Sequence, residues 1–311
     1  MRKSIYTAEL LNKSERLDSY IALKSGLTRS HIGKLLKKGM VSVNSQIEKA
    51  GYKVREGDRI ELIIPDEPEG VLIPENIPLE IIHEDEHIIA INKPPDMVIY
   101  PAAGNKSGTL MNALVSKCKE LSSIGAPLRP GVVHRLDKNT SGIIVIAKDD
   151  QAYYSLVDQF KERQVKKHYL ALLYGSFKED NGEICASIGR SSSDRKKMST
   201  RTRRGKEAVT QFEIMKRFRS AALAKIRILT GRTHQIRVHF ASIGHPVLGD
   251  TTYGKQTSIK LRDKTVRFPR QMLHAFSLEI KHPATGKTVH FTAPLPEDME
   301  IVIEELTANI R

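Results

Sequence analysis

Residues 131–147 read Gly131-Val-Val-His134-Arg135-Leu136-Asp137-Lys-Asn-Thr140-Ser141-Gly142-Ile143-Ile-Val-Ile-Ala147. The apolar run 143–147 predicts a strand. The stretch before it is rich in turn formers and places an arginine and a carboxylate two residues apart. A strand entered from such a turn is a rigid pedestal with a reactive group at its lip. Two other readings compete. Asp137 can simply close an Asx-turn. His134, Asp137 and Ser141 can suggest a hydrolase triad, but they lie too close in sequence for triad geometry, and no Gly-x-Ser-x-Gly elbow surrounds Ser141.

Working outward, strand patterns recur at 167–174, 207–216, 221–230, 274–280 and 287–293. A hairpin is predicted over 79–83 and 87–92, around the turn Glu84-Asp85-Glu86. Helices are predicted at 108–119, 150–163, 234–243 and 297–307. Asp150 would cap the second, with Leu156, Val157 and Phe160 on its inner side. Thr233 would cap the third, with Ile236, Phe240 and Ile243 on one face, Arg237 at the edge of that face and Gly244 at its end. Strands that follow one another without regular crossover helices predict an α+β fold: a mixed, largely antiparallel sheet with flanking helices.

The chain has 311 residues and a net charge of +14, which favours a polyanion as partner. A basic, well-solvated surface accounts for the charge equally well, and its distribution says more. Residues 65–90 hold eight acidic and no basic side chains, between two positive blocks. Within them, 65–78 carries four prolines and four acids. We read 64–78 as a linker, because proline fixes φ and removes a donor. From Arg190 to Lys206 there are eight basic residues, one acid and no aromatics, a pattern that suits phosphate contact better than base stacking. Only Cys118 and Cys185 are present, too few for a disulfide framework or a cysteine zinc site. The 11 histidines are scattered, and His234 and His239 would lie about 140° apart on a helix. No metal, cofactor or membrane span is expected, and the chain is read as a cytoplasmic monomer.

Before the linker, 14–63 reads as a small α/β domain. Ser14 would cap a helix bearing Leu17, Tyr20 and Ile21 on one face and ending at Gly26. Thr28 would cap a second helix ending at Gly39, with Ile32, Leu35 and Leu36 on one side and Ser30, Lys34, Lys37 and Lys38 on the other. Strands follow at 41–43 and 53–64. Arg16-Leu17-Asp18, Thr28-Arg29-Ser30, Gly39-Met-Val41-Ser-Val43-Asn44 and Gly57-Asp58 resemble the small RNA-binding domain named after ribosomal protein S-four. In that family the second helix lies against structured RNA, which gives Lys34, Lys37 and Lys38 an RNA-binding role.

After the linker, 79–305 carries five ordered motifs. These are Ile91-Asn92-Lys93-Pro94-Pro95; His134-Arg135-Leu136-Asp137 with Thr140-Ser141-Gly142; Lys167-His-Tyr169-Leu170-Ala171; Leu229 to His239, continuing through Gly244-His245-Pro246 to Gly249-Asp250 and Tyr253-Gly254; and Leu273-His274-Ala275 before His282-Pro283. Together they resemble the pseudouridine synthases of the RluA-type branch. Two positions depart from that family's pattern: Asp96 stands where glycine is usual, and Tyr100 near a usual histidine.

The resemblance implies isomerisation of uridine to pseudouridine: uracil leaves its ribose, rotates and rejoins through carbon 5. No redox cofactor or metal is implied, but a carboxylate beside the glycosidic bond and a closed pocket are. The resemblance gives the carboxylate to Asp137, its cationic partner to Arg237, and base stacking with proton handling to Tyr169. Arg135 would enter the space left by the flipped base, and Leu273 would form pocket wall. A solvated helix arginine, a core tyrosine and a core leucine are the plainer readings of Arg237, Tyr169 and Leu273. The implied substrate is large-subunit ribosomal RNA, with transfer RNA as alternative; a non-catalytic RNA-binding assembly factor would share the charge and the N-terminal domain.

Overall fold

The computed structural model describes all of the chain except residues 1, 10–14, 28, 65–70, 103, 195–196, 203, 262–263 and 309–311, and the side chains of residues 2, 30, 31 and 34. The chain divides into two compact units, Met1–Val71 and Leu72–Arg311. The division falls inside the proline- and acid-rich stretch.

The first unit contains β1 (Arg2–Thr7), α1 (Leu17–Ser25), α2 (Arg29–Lys37), β2 (Val41–Val43), β3 (Gln46–Ile47) and β4 (Arg59–Ile64). Its sheet order is β1-β4-β2-β3. Leu17, Tyr20 and Ile21 of α1 and Ile32, Leu35 and Leu36 of α2 are buried against it. Helix α1 starts from Arg16 rather than Ser14, with no side-chain cap. Instead the Arg16 guanidinium grips Asp18, which also accepts from Arg29 at 2.9 Å. Gly26 ends α1 in the left-handed conformation. Ser14 and Thr28, the sequence-predicted caps, lie outside the described residues. Strand β1, absent from the sequence reading, pairs with β4 along its whole length.

The second unit runs β5 (Glu80–Glu84), β6 (Ile88–Lys93), α3 (Leu110–Lys117), β7 (Ser141–Ala147), α4 (Asp150–Lys161), β8 (Lys166–Tyr174), β9 (Asn181–Cys185), β10 (Gly189–Arg190), β11 (Met198–Ser199), β12 (Val209–Arg217), β13 (Ala221–Ile228), α5 (Gln235–Ser242), β14 (Ser258–Lys260), β15 (Thr265–Arg267), β16 (Leu273–Lys281), β17 (Thr288–Thr292) and α6 (Glu297–Thr307). Nine strands form one sheet in the order β5-β6-β7-β16-β8-β13-β12-β9, with β17 on β16. Its pairings are antiparallel except β7 with β16. The sheet is therefore the mixed, largely antiparallel one that the pattern implies. Every residue of β7 is buried, as an unbroken apolar run inside a covered sheet requires.

Residues 72–78 are not a free tether. Glu75 N–H donates to the Asn112 carbonyl at 3.0 Å, the Glu75 carboxylate accepts from Gly108 N–H, and Asn112 Nδ2 reaches the Ile73 carbonyl at 2.7 Å. Leu72 and Ile77 pack on the core as well. Helix α4 is capped by Asp149, whose Oδ1 accepts from Ala152 N–H at 2.7 Å. Asp150, the predicted cap, turns away to Ser122 and Ser123. Among the described residues no helix is long and apolar enough to cross a membrane.

The parallel pair demands close approach. A Cβ on Gly142 (φ 110°) would collide with the Ala275 carbonyl oxygen, whereas one on Gly286 (φ 68°) would meet open space. Both positions carry the left-handed cost of about 1–2 kcal/mol for a non-glycine residue. Gly142→Ala should therefore destabilise the fold well beyond Gly286→Ala, by at least about 2 kcal/mol more in the free energy from thermal unfolding. Equal losses would show that β7 and β16 can separate freely.

Candidate active site

The turn 137–140 stands at the entrance to β7, where β16 also begins. Thr140 N–H bonds to the Asp137 carbonyl at 3.1 Å and closes it. Three side chains from distant segments hold it. Lys93 Nζ donates to the carbonyls of Lys138 (3.1 Å), Pro94 (2.7 Å) and Met97 (3.0 Å). Arg270 Nη1 donates to the Asn139 carbonyl and Gln271 Nε2 to Thr140 Oγ1. Lys93 is wholly buried, and burial, then the Arg270 charge, pushes it down to about 7. Three carbonyls at bonding distance need three N–H donors, so the ammonium is the form this arrangement fits.

Asp137 Oδ2 accepts from Arg237 Nη1 at 2.9 Å. The other edge of that guanidinium forks onto Asp250, Nε to Oδ2 at 2.7 Å and Nη2 to Oδ1 at 3.0 Å. Burial opposes the Arg237 charge, but Asp250 and then Asp137 outweigh it and hold the group above its ordinary range. The Tyr253 ring lies 5.1 Å from the guanidinium carbon. Its hydroxyl accepts from Met198 N–H at 2.9 Å and meets His234 Nδ1 at 2.7 Å. His234 Nε2 stands 3.8 Å from Asp137 Oδ1. Burial lowers the His234 pKa, so the ring is neutral near pH 7. With the Tyr253 hydroxyl donating a hydrogen bond to Nδ1, the neutral ring carries its proton on Nε2, which faces Asp137.

Tyr169 comes from β8, next to the point where the β8–β16 register shifts between His274 and Ser277. Burial, and then the Asp137 charge, raises its pKa and keeps it a neutral phenol. Arg135, Asp137, Tyr169, Arg237 and Leu273 line one cavity of about 620 Å³, with Tyr100 at its edge. That volume suits a nucleotide-sized ligand. Among the described residues no group of three or more His, Cys, Asp or Glu is placed to hold a metal.

The model of the RNA pseudouridylate synthase family matches residues 87–242, and that of the S4 domain matches 15–60. An uncharacterized RNA pseudouridine synthase of Bacillus subtilis is 44% identical, over 97% of this chain and 98% of its own length. A ribosomal large subunit pseudouridine synthase D of Zymomonas mobilis is 41% identical, with 95% of each covered. Among solved structures, human RNA pseudouridylate synthase domain containing 1 aligns with a TM-score of 0.55 at 28% identity, over 78% of this chain and 98% of that one. The chain belongs to the RNA pseudouridine synthase family. It is an isomerase with an N-terminal S4 domain.

The synthase brings together five of the residues picked from sequence: Asp137, Tyr169, Arg237, Arg135 and Leu273. Lys37 and Lys38 are exposed at the end of α2, in the other unit, and the Lys34 side chain lies outside the described residues. Helix α5 corrects two expectations. Thr233 does not cap it. The helix starts with no side-chain cap; Gln235 Oε1 ties the preceding turn, accepting from Arg232 N–H (3.0 Å) and Thr230 Oγ1 (2.7 Å). His234 precedes the helix at φ 56°. Ile243 is exposed, because the helix ends before it completes the apolar face. The residues that sequence reasoning passed over are His234, Asp250, Tyr253 and Lys93. All four lie in quoted motifs without a role, and His234 also counts among the scattered histidines. Asp96 adopts φ 61°, the conformation for which glycine is usual, and pairs with Lys138 at 3.1 Å. The hydrolase triad does not form. Ser141 Oγ bonds to His274, while His134 stacks on Phe160 and accepts Val145 N–H at Nε2.

Burial, then nearby Lys167, pushes His134 down to about 3. The unfolded chain, with an ordinary histidine, therefore takes the proton first. This contribution is full above about pH 6.5 and is lost as pH falls from there toward about 3. The melting temperature should drop across that window, and less steeply in His134→Gln, which keeps an acceptor for Val145. An unchanged slope in that variant would remove His134 as a source of acid sensitivity.

Proposed function

We propose that the synthase converts uridine to pseudouridine in large-subunit ribosomal RNA, with Asp137 as the reacting carboxylate. The observation that carries this reading is the Asp137–Arg237 pair, set in one cavity with Tyr169 and Leu273. Arg237 holds one carboxylate oxygen and leaves the other toward the cavity. A carboxylate so placed can attack the nucleotide or stabilise the charge that develops as the glycosidic bond breaks. Tyr169, an un-ionised phenol, offers a face for stacking on uracil. It can serve carbon 5 only as a relay, taking one proton as it gives another.

The target base must leave its stack, at a cost of a few kcal/mol in paired RNA. Arg135 is exposed at the cavity mouth, and among the described residues no carboxylate holds it. It is free to occupy the vacated space. Arg190, Arg201 and Arg204 line a second surface hollow with Ser192 and Thr202, a setting for phosphates. Lys37 and Lys38 give the S4 domain its own basic contacts, with Lys34 on the same helix. The name of the Zymomonas relative supports the ribosomal substrate.

Asp137→Asn should lower pseudouridine formation by more than about a thousandfold while leaving RNA affinity within about twofold. Chemical mapping of pseudouridine in total RNA, with and without the gene, locates the substrate. Sites lost from large-subunit RNA are expected. Losses confined to transfer RNA would overturn the substrate, and full activity in the variant would overturn the mechanism.

A further inference from the structure

The cavity does not end at the Asp137–Arg237 pair. Its lining also includes Arg129, Phe160, Lys161, Arg163, Lys167 and Arg232. Lys167 and Tyr169 are two residues apart on β8 and so share its cavity face. Lys167 Nζ lies 5.5 Å from the centre of the Phe160 ring. Gly231 is also close, since a Cβ there would come to 3.7 Å from Nζ. Two of the other cations are tied up: Arg163 stands 4.0 Å from the Glu207 carboxylate, and Arg232 Nε donates to the Glu207 carbonyl at 3.0 Å. Lys167 is half-buried, yet among the described residues no carboxylate or carbonyl takes a bond from it. Lys93, the other buried lysine of this region, has three acceptors.

An ammonium drawn out of water without a counter-ion is destabilising unless something else compensates it. Burial alone acts on Lys167 and pushes it down to about 8. Asp137 already has its cation, Arg237 Nη1 at 2.9 Å, and Lys167 is not paired with it. We propose that this end of the cavity is a phosphodiester subsite, in which Lys167 binds a non-bridging oxygen of the phosphate beside the target uridine. The assignment rests on the reading that the uridine enters this cavity. Phe160 and Gly231 border the subsite: the ring faces the cation, and no side chain at 231 crowds it.

The test compares uridine, uridine 5′-monophosphate and uridine 3′-monophosphate as ligands of the full chain, by calorimetry or NMR titration. One monophosphate should bind about tenfold or more tightly than uridine, as a charge-assisted hydrogen bond provides. Which one does so tells which flanking phosphate is held. That gain should shrink to about twofold in Lys167→Met and persist in Lys167→Arg. Thermal melting separates a ligand site from a structural lysine. Removing an unpaired ammonium should leave the melting temperature of Lys167→Met unchanged or raised, and a structural role would lower it. A gain that survives in Lys167→Met, or no gain in the unmodified protein, overturns the subsite. Uridine bound without a phosphate gain leaves the cavity as a nucleoside site, whereas failure of the Asp137→Asn test above concerns the reaction alone.

Discussion

A single guanidinium orders this site. Arg237 spends two of its N–H groups on Asp250, which is 1% exposed and also accepts from the backbone of Thr252 and Tyr253. The fork is rigid and planar, so fixing one edge fixes the direction of the remaining Nη1. That direction is toward Asp137. The two carboxylates are then unlike in function although alike in kind. Asp250 has its lone pairs filled by the protein. Asp137 keeps one oxygen toward the cavity, met among the described residues only by His234 Nε2 at 3.8 Å. Removing Asp250 would leave a buried cation half-paired, a loss that ordinarily costs several kcal/mol.

The sheet supplies the second constraint. Two antiparallel stretches meet at the parallel seam of β7 and β16, and both strands of that seam start at the same edge. Loops that elsewhere would lie at opposite ends of the sheet are brought together here. Arg270 exploits the meeting. Its guanidinium takes Asp298 of α6 at 2.6 and 2.8 Å, and donates to the carbonyls of Asn139, Gln271 and Leu273 and to Ser141 Oγ. The C-terminal helix, the turn bearing Asp137 and the start of β16 thus share one side chain. Leu273 owes its place in the cavity wall to that same tie.

Much of this was legible in the sequence, and for identifiable reasons. Strands such as β7, β8 and β13 are long apolar or alternating runs whose period survives any tertiary context. Asp137, Tyr169 and Arg237 stand in motifs whose order along the chain carries the resemblance. What escaped depended on partners far away in sequence. Strand β1 is recognisable only through its pairing with β4. Helix α5 starts from His234 with no side-chain cap, while a threonine stood in the usual place. His234 reads as one of many scattered histidines until its left-handed backbone turns the ring between Tyr253 and Asp137. Residues 72–78 look like a tether by composition, because proline content does not reveal that Glu75 finds Gly108 and Asn112.

The site also differs from the rest of the unit in how its polar groups are satisfied. Among the described residues, every buried side-chain nitrogen or oxygen has a hydrogen-bond partner. The groups left open are gathered on the cavity surface: an oxygen of Asp137, the guanidinium of Arg135 and the ammonium of Lys167. Two non-glycine residues in left-handed conformations, Asp96 and His234, flank the same place. Each such feature opposes stability, and a surrounding structure must over-determine it to keep it. Here that surrounding is visible in Lys93, Arg270 and Asp250, whose bonds are complete. A carboxylate, two cations and a phenol held open by a saturated frame is an arrangement that a charged, flat-based nucleotide would close.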